Sequence, residues 1–330
     1  MPAAPRPQGA ETELKSSVPA SAAGQTLLDY LCARFRYQER AAWEALIGQG
    51  RLTVNGQRAL PQRRLLARDL VSYKVELKEP PVDASIAILH QEEGFLVASK
   101  PGGLPSHADG TFIRNTFIAL LNQRLDPQHP AKLVHRLDRE TSGVMVAALK
   151  RESHKSLTRQ FESHAVAKSY LALVEGEVAQ GAFEVQGLLG RDPASQVSIR
   201  HALLGPGSPG SEAAKPSHTL FEVRERYAGR TLLLCRPLTG RTNQIRVHLA
   251  SIGHPITGDK LYGRSDEQFL VFVRHVKAGG DPAACPGLAC PRQLLHAWRI
   301  EFNHPTQGQR LMYEAPLPAD FSAFLSSLQR

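Results

Sequence analysis

His135-Arg136-Leu137-Asp138-Arg139-Glu140-Thr141-Ser142-Gly143 runs directly into an apolar stretch of strand length, Val144 to Leu149. One carboxylate, Asp138, stands between the guanidinium groups of Arg136 and Arg139, and a Thr-Ser-Gly turn closes the segment. Nearby positive charge favours the ionised carboxylate. Asp138 is therefore a poor general acid and a candidate nucleophile or charge-bearing base. Taken alone, these three residues also fit an ordinary salt-bridged turn, so the surrounding chain has to decide.

Upstream, Ile86 to Leu89 and Phe95 to Ser99 are strand-like. A Gly/Pro loop from Lys100 to Gly110 follows, then an amphipathic helix near Phe112 to Arg124. Downstream, the pattern predicts a helix from about Glu152 to Phe161 and strands at Tyr170–Val174, Thr219–Val223 and Thr231–Cys235. Strands joined by short loops, with few full βαβ spacings, predict an α+β fold with a mixed, mostly antiparallel sheet. No internal repeat is present. Leu204 to Lys215, rich in Gly, Pro, Ser and Ala, reads as a flexible surface insertion.

The N-terminal quarter differs in composition. Residues 1–24 have almost no large apolar side chains and read as a disordered tail. Residues 25–75 form a small module. Leu27, Leu28 and Leu31 lie at helical spacing, and a second helical stretch spans Arg40 to Ile47. Arg51 to Gly56 is a short strand with an Asn-Gly turn, and Asp69 to Tyr73 is another strand. Residues 76–84, with two adjacent prolines, read as a linker, leaving 85–330 for the main domain.

Lys and Arg number 40 against 31 acids, a formal charge of +9, which favours a polyanionic partner. Between Gln25 and Lys74 nine basic residues face four acids, so more than half of the excess lies in the small module. The apolar share of 42% is ordinary for a globular protein. No apolar run approaches the ~18 residues needed to span a membrane, and the N-terminus carries no export signal. Cys32, Cys235, Cys285 and Cys290 are too scattered for a disulfide scaffold and read as reduced thiols of a cytoplasmic protein. Cys285 and Cys290, with His275 and His296, lack the paired spacing of a zinc site, and no metal is expected.

Further segments carry chemistry. Lys100-Pro101-Gly102-Gly103-Leu104 leaves a strand and turns sharply. Lys168-Ser169-Tyr170 sets a Tyr near the start of a strand. Gly240-Arg241-Thr242-Asn243-Gln244-Ile245-Arg246-Val247-His248 opens a helix that Thr242 or Asn243 can cap, with Ile245, Leu249 and Ile252 as its apolar stripe. Two arginines and two amides at a helix start suit an anionic ligand. His254-Pro255-Ile256-Thr257-Gly258-Asp259 and Leu295-His296-Ala297 read as loop segments with no derivable role.

In this order and spacing, the segments resemble the motif set of the RluA-type pseudouridine synthases, which isomerise uridines in ribosomal and transfer RNA. The likeness runs from about Ile86 to Phe321. The module before it resembles an αL-type RNA-binding domain through Leu46-Ile47, Gly50, Val54-Asn55-Gly56 and Asp69. One variation is Asn243, where many relatives carry His.

The resemblance implies that Asp138 is the essential Asp that starts glycosidic cleavage, either by adding to the sugar or by removing a ribose proton. Tyr170 would pack on the base and mediate loss of the C5 proton. Arg246 would pair with Asp138, and Arg136 would fill the gap left by a flipped-out uridine. Other expected RNA contacts are Arg139, Arg241, Asn243, Gln244, Lys168 and Lys100, with Arg34, Arg36 and Arg51 in the small module. Isomerisation oxidises nothing and releases no group, so no cofactor is expected.

The implied partner is RNA, ribosomal in the first place and tRNA as the alternative, acted on by a monomer. A non-catalytic RNA-binding or ribosome-assembly factor on the same fold is a second reading, although a pure binder has no need of the carboxylate. A glycosidase is a third, weakened because no second working carboxylate is evident beside Asp138.

Overall fold

The computed structural model describes residues 11–35, 38–76, 79–108, 112–278, 280 and 287–329. They fall into two compact units, one drawn from 1–81 and 108–115, the other from 82–107 and 116–330.

The first unit contains β1 (Glu11–Ser17), α1 (Leu27–Arg34), α2 (Arg40–Gly48), β2 (Leu52–Val54), β3 (Gln57–Arg58) and β4 (Leu70–Glu76). Its four strands lie in the order β1-β4-β2-β3. Thr26 caps α1 by accepting from the Asp29 N–H. Leu27, Leu28 and Leu31 meet Trp43 and Ile47 of α2 and Leu52, Val54, Val71 and Tyr73 of the sheet in one core. Asn55 and Gly56 both have positive φ, so the Asn-Gly pair makes the tight β2–β3 hairpin turn. The Asn55 amide also donates to the Asp69 carboxylate and accepts the Leu70 N–H, each at 2.8 Å.

The expected disordered tail is corrected in part. Residues 11–17 pair antiparallel with β4 along its whole length, and Val18 is buried. Backbone pairing to an existing strand orders a segment too poor in apolar side chains to fold alone. Residues 1–10 lie outside the described set.

The second unit contains β5 (Ala87–Gln91), β6 (Phe95–Lys100), α3 (Phe117–Asn122), β7 (Lys132–Leu133), β8 (Ser142–Ala148), α4 (Arg151–Glu162), β9 (Ala167–Glu175), β10 (Ala182–Arg191), β11 (His201–Leu204), β12 (Lys215–Tyr227), β13 (Arg230–Pro237), α5 (Gln244–Ser251), α6 (Asp266–Lys277), β14 (Leu295–Asn303), β15 (Arg310–Glu314) and α7 (Ala319–Ser326). Its sheet runs β11-β10-β12-β13-β9-β14-β8-β6-β5, with β7 on β8 and β15 on β14. Among the described strand pairs, β14–β8 alone is parallel, so the sheet is mixed and mostly antiparallel.

Every residue of β8 is buried, which is why Val144 to Ala148 reads as a continuous apolar run rather than an alternating one. Gly143 has φ +122, and a Cβ there would lie 2.2 Å from the Ala297 carbonyl oxygen of β14. The glycine that ends the quoted motif thus lets the parallel strand approach.

Several expected boundaries shift. The helix expected from Phe112 starts at Phe117 behind the Thr116 cap. The N–H groups of Ile113, Arg114 and Asn115 are held by the Glu79 carboxylate, which takes them out of helix register. Leu295–Ala297 is part of central strand β14, not a loop. Residues 205–214 form successive hydrogen-bonded turns between β11 and β12. No helix among the described residues is long and apolar enough to cross a membrane.

Candidate active site

The loop between β7 and β8 carries Asp138, and hydrogen bonds hold it on both sides. The His135 ring stacks on Phe161 of α4 at 4.6 Å and accepts the Val146 N–H through Nε2 at 2.9 Å. Its proton therefore sits on Nδ1. Burial, with the Lys168 charge adding, pulls its pKa down to about 3, so the ring is neutral. Ser106 accepts the Leu137 N–H at 3.1 Å and donates to the Leu137 carbonyl at 2.7 Å. On the far side, Lys100 donates to the Arg139 carbonyl at 3.0 Å, and Thr141 N–H closes the turn onto the Asp138 carbonyl at 3.2 Å. Glu140 accepts from Lys260 and from Gln293 N–H, while Gln293 donates to Thr141.

Held in this way, Asp138 lines a cavity of about 540 Å³ together with Tyr170 of β9, Arg246 of α5, Arg136, Lys168, Arg241, Asn243 and Gln244. That volume suits a small organic group. Arg246 Nη1 donates to Asp138 Oδ2 at 2.9 Å. The Asp138 side chain is 35% exposed and Arg246 12%. Burial works against the Arg246 charge, but Asp259, by charge and hydrogen bonds, more than offsets it and Asp138 adds, so its pKa rises.

Tyr170 is pushed the same way for a different reason. Burial disfavours the phenolate and the Asp138 charge adds, so the phenol stays protonated well above its ordinary value. Its hydroxyl takes no hydrogen bond among the described residues. Lys168 is likewise unpaired among them, and burial lowers its pKa. Arg136 is exposed with no partner among them.

Several expectations are corrected. Lys100 is fully buried, and its ammonium gives its three N–H bonds to the carbonyls of Pro101, Leu104 and Arg139. Burial, with Arg292 adding, lowers its pKa to about 7. It braces the Asp138 loop and is out of reach of RNA. Gln244 is also buried. Its oxygen accepts from Thr239 and from Arg241 N–H, and its amide donates to His218 O and Thr219 Oγ1, so nothing is left for a ligand.

Asn243 stands at the N-cap of α5 but with φ 56 and no capping bond. Its amide instead donates to the Tyr262 hydroxyl, and its oxygen accepts from Arg246 Nη1. Elsewhere, the Arg139 guanidinium points to Glu140 at 3.6 Å and does not line the cavity. Ile252, expected in the apolar stripe of α5, lies past the helix and is 39% exposed. Arg34 and Arg51 lie in the first unit, and Arg36 is outside the described residues.

Sequence reading missed Ser106, Glu140, Lys260 and Asp259 as supports of the site. Asp259 lay inside the His254–Asp259 segment, which read as a loop with no derivable role.

Comparison with known proteins places the chain in a family. Residues 94–251 match the family described as RNA pseudouridylate synthase. A relative from Nitrosomonas europaea, ribosomal large subunit pseudouridine synthase D, is 33% identical over 97% of this chain and 89% of its own length. The chain belongs to the RNA pseudouridine synthase family. It is of the RluA type and an isomerase. Ribosomal large subunit pseudouridine synthase C of Pasteurella multocida is 34% identical over 93% of this chain and 91% of the relative. Among solved structures, human RNA pseudouridylate synthase domain containing 1 superposes with a TM-score of 0.57 at 28% identity, covering 74% of this chain and 90% of that one.

Proposed function

We propose that this pseudouridine synthase isomerises specific uridines of large-subunit ribosomal RNA, in the cytoplasm and as a monomer, without a cofactor. The observation that carries the reading is the Asp138–Arg246 pair at 2.9 Å in a cavity that also contains Tyr170. The names of the similar bacterial synthases C and D support the choice of RNA.

Converting uridine to pseudouridine breaks the N1–C1′ bond, turns the base, forms a C5–C1′ bond, removes the C5 proton and leaves N1 carrying a proton in its place. Asp138 starts the cleavage at the sugar. Arg246 holds that carboxylate in place through Oδ2, leaving Oδ1 with no hydrogen bond among the described residues. Tyr170 packs against the base. Because its phenol is protonated, it acts as a relay, taking the C5 proton as its own hydroxyl proton leaves to solvent.

A uridine stacked in RNA must first leave the stack, at a cost of a few kcal/mol. Exposed Arg136, two residues from Asp138, supplies a planar cation for the vacancy. Lys168 and Arg241 supply positive charge for the phosphates at the cavity. Arg34 and Arg51 of the small module add affinity for the RNA backbone. Chemical mapping of pseudouridine in total RNA from cells with and without the protein tests the substrate. Loss of a large-subunit site is expected. Loss confined to tRNA would move the assignment to tRNA, and an unchanged map would reject both.

A further inference from the structure

Arg246 faces a second carboxylate. Its Nε donates to Asp259 Oδ2 at 2.7 Å and its Nη2 to Asp259 Oδ1 at 2.9 Å, a two-pronged pair. Asp259 is anchored more firmly than Asp138. Its side chain is wholly buried, and Oδ1 also accepts the N–H groups of Leu261 at 2.9 Å and Tyr262 at 3.0 Å. The turn that carries it is tied to the sheet, since Thr257 N–H bonds Leu173 O and Ile256 bridges to Val174 of β9. The same strand carries Tyr170. Below the guanidinium lies the Tyr262 ring, 4.8 Å from Cζ.

Asp259 thus occupies one edge of the guanidinium, and Nη1 divides its hydrogens between Asp138 and Asn243. An arginine released from Asp259 is free to present its two-pronged edge to Asp138 and cover both oxygens. We propose that Asp259 is a positioning residue for the isomerisation. It fixes Arg246 so that Asp138 is held by one oxygen and keeps the other for the ribose. The proposal rests on the reading that Asp138 starts glycosidic cleavage.

The test is Asp259→Asn in the full chain, assayed on a large-subunit ribosomal RNA transcript, with thermal melting to verify the fold. Turnover is expected to fall on the order of 10²-fold, with KM and RNA affinity within about twofold. In a double-mutant cycle with Arg246→Lys, the losses are expected not to multiply, because both variants break one unit. A folded Asp259→Asn enzyme with wild-type kcat, or losses that multiply, overturns the proposal.

A crystal structure of the Asp138→Ala protein decides independently of activity and of whether Asp259→Asn folds. Arg246 is expected to stay on Asp259 through Nε and Nη2. An Arg246 that swings away shows that Asp138 held it and overturns the proposal. Failure of the functional reading looks different: the unmutated enzyme would form no pseudouridine on any RNA.

Discussion

Asp138 and Arg246 are 108 positions apart in sequence and meet through a single 2.9 Å hydrogen bond, from guanidinium Nη1 to carboxylate Oδ2. Among the described residues Oδ1 takes none. The carboxylate, which lines the cavity, is restrained by a cation through one oxygen and keeps the other without a hydrogen bond among the described residues. A fixed charge aimed at the place where bonds change is the most effective contribution a protein makes to such a reaction.

Tyr170→Phe is expected to cut turnover by about 10²-fold or more, within the usual range for a group that handles a proton. Melting temperature is expected to change little, because the lost hydroxyl has no hydrogen bond among the described residues. Single-turnover kinetics with a melting curve separates the two effects. Near-normal rates would remove Tyr170 from the chemistry.

Arg136 and Lys100 are expected to behave oppositely toward salt. Exposed Arg136 can reach phosphate or a vacated stack, so Arg136→Met is expected to flatten the log Kd versus log salt slope by about 0.7 to 0.9. Lys100→Met is expected to leave that slope alone while lowering the melting temperature, because three carbonyls lose their donor. Filter binding at several salt concentrations checks both. A flattened slope for Lys100→Met would restore it as an RNA contact.

Stability is expected to fall on the acid side from buried histidines. Burial brings His135 down to about 3, and His248 and His296 each to about 4, from an ordinary 6.5. The folded chain keeps these rings neutral while the unfolded chain protonates them. Their contribution is therefore full above about pH 6.5 and is lost as pH falls toward 4 and 3. Urea midpoints measured between pH 7.5 and 4.5 are expected to decline. His135→Gln, which can still accept the Val146 N–H but does not titrate, is expected to soften the decline. An identical decline in that variant would contradict the assignment.

What was legible in sequence follows from what is local. The apolar run after Gly143, the Asn55-Gly56 turn and the helix at Arg151–Glu162 rest on short-range patterns that packing here reinforces. Asp138, Tyr170 and Arg246, which line one cavity, were singled out because each sits in a segment that matches the family's motifs. The supports were hidden because they act across long separations. A lysine after a strand reads as a surface cation, and only the fold shows that Lys100 points inward to carbonyls up to 39 positions away. Gln244 read as a ligand donor because its four saturating partners lie on β12 and the preceding loop. The order of residues 11–17 depends on β4, about sixty residues later, and local composition carries no trace of it.

The central claim is that the Asp138 carboxylate starts the isomerisation, and its most direct measurement is tritium release from large-subunit ribosomal RNA labelled at uridine C5. The unmutated enzyme is expected to release tritium, and Asp138→Asn to release none while binding the same RNA with unchanged affinity. Release by Asp138→Asn at the unmutated rate would contradict the account.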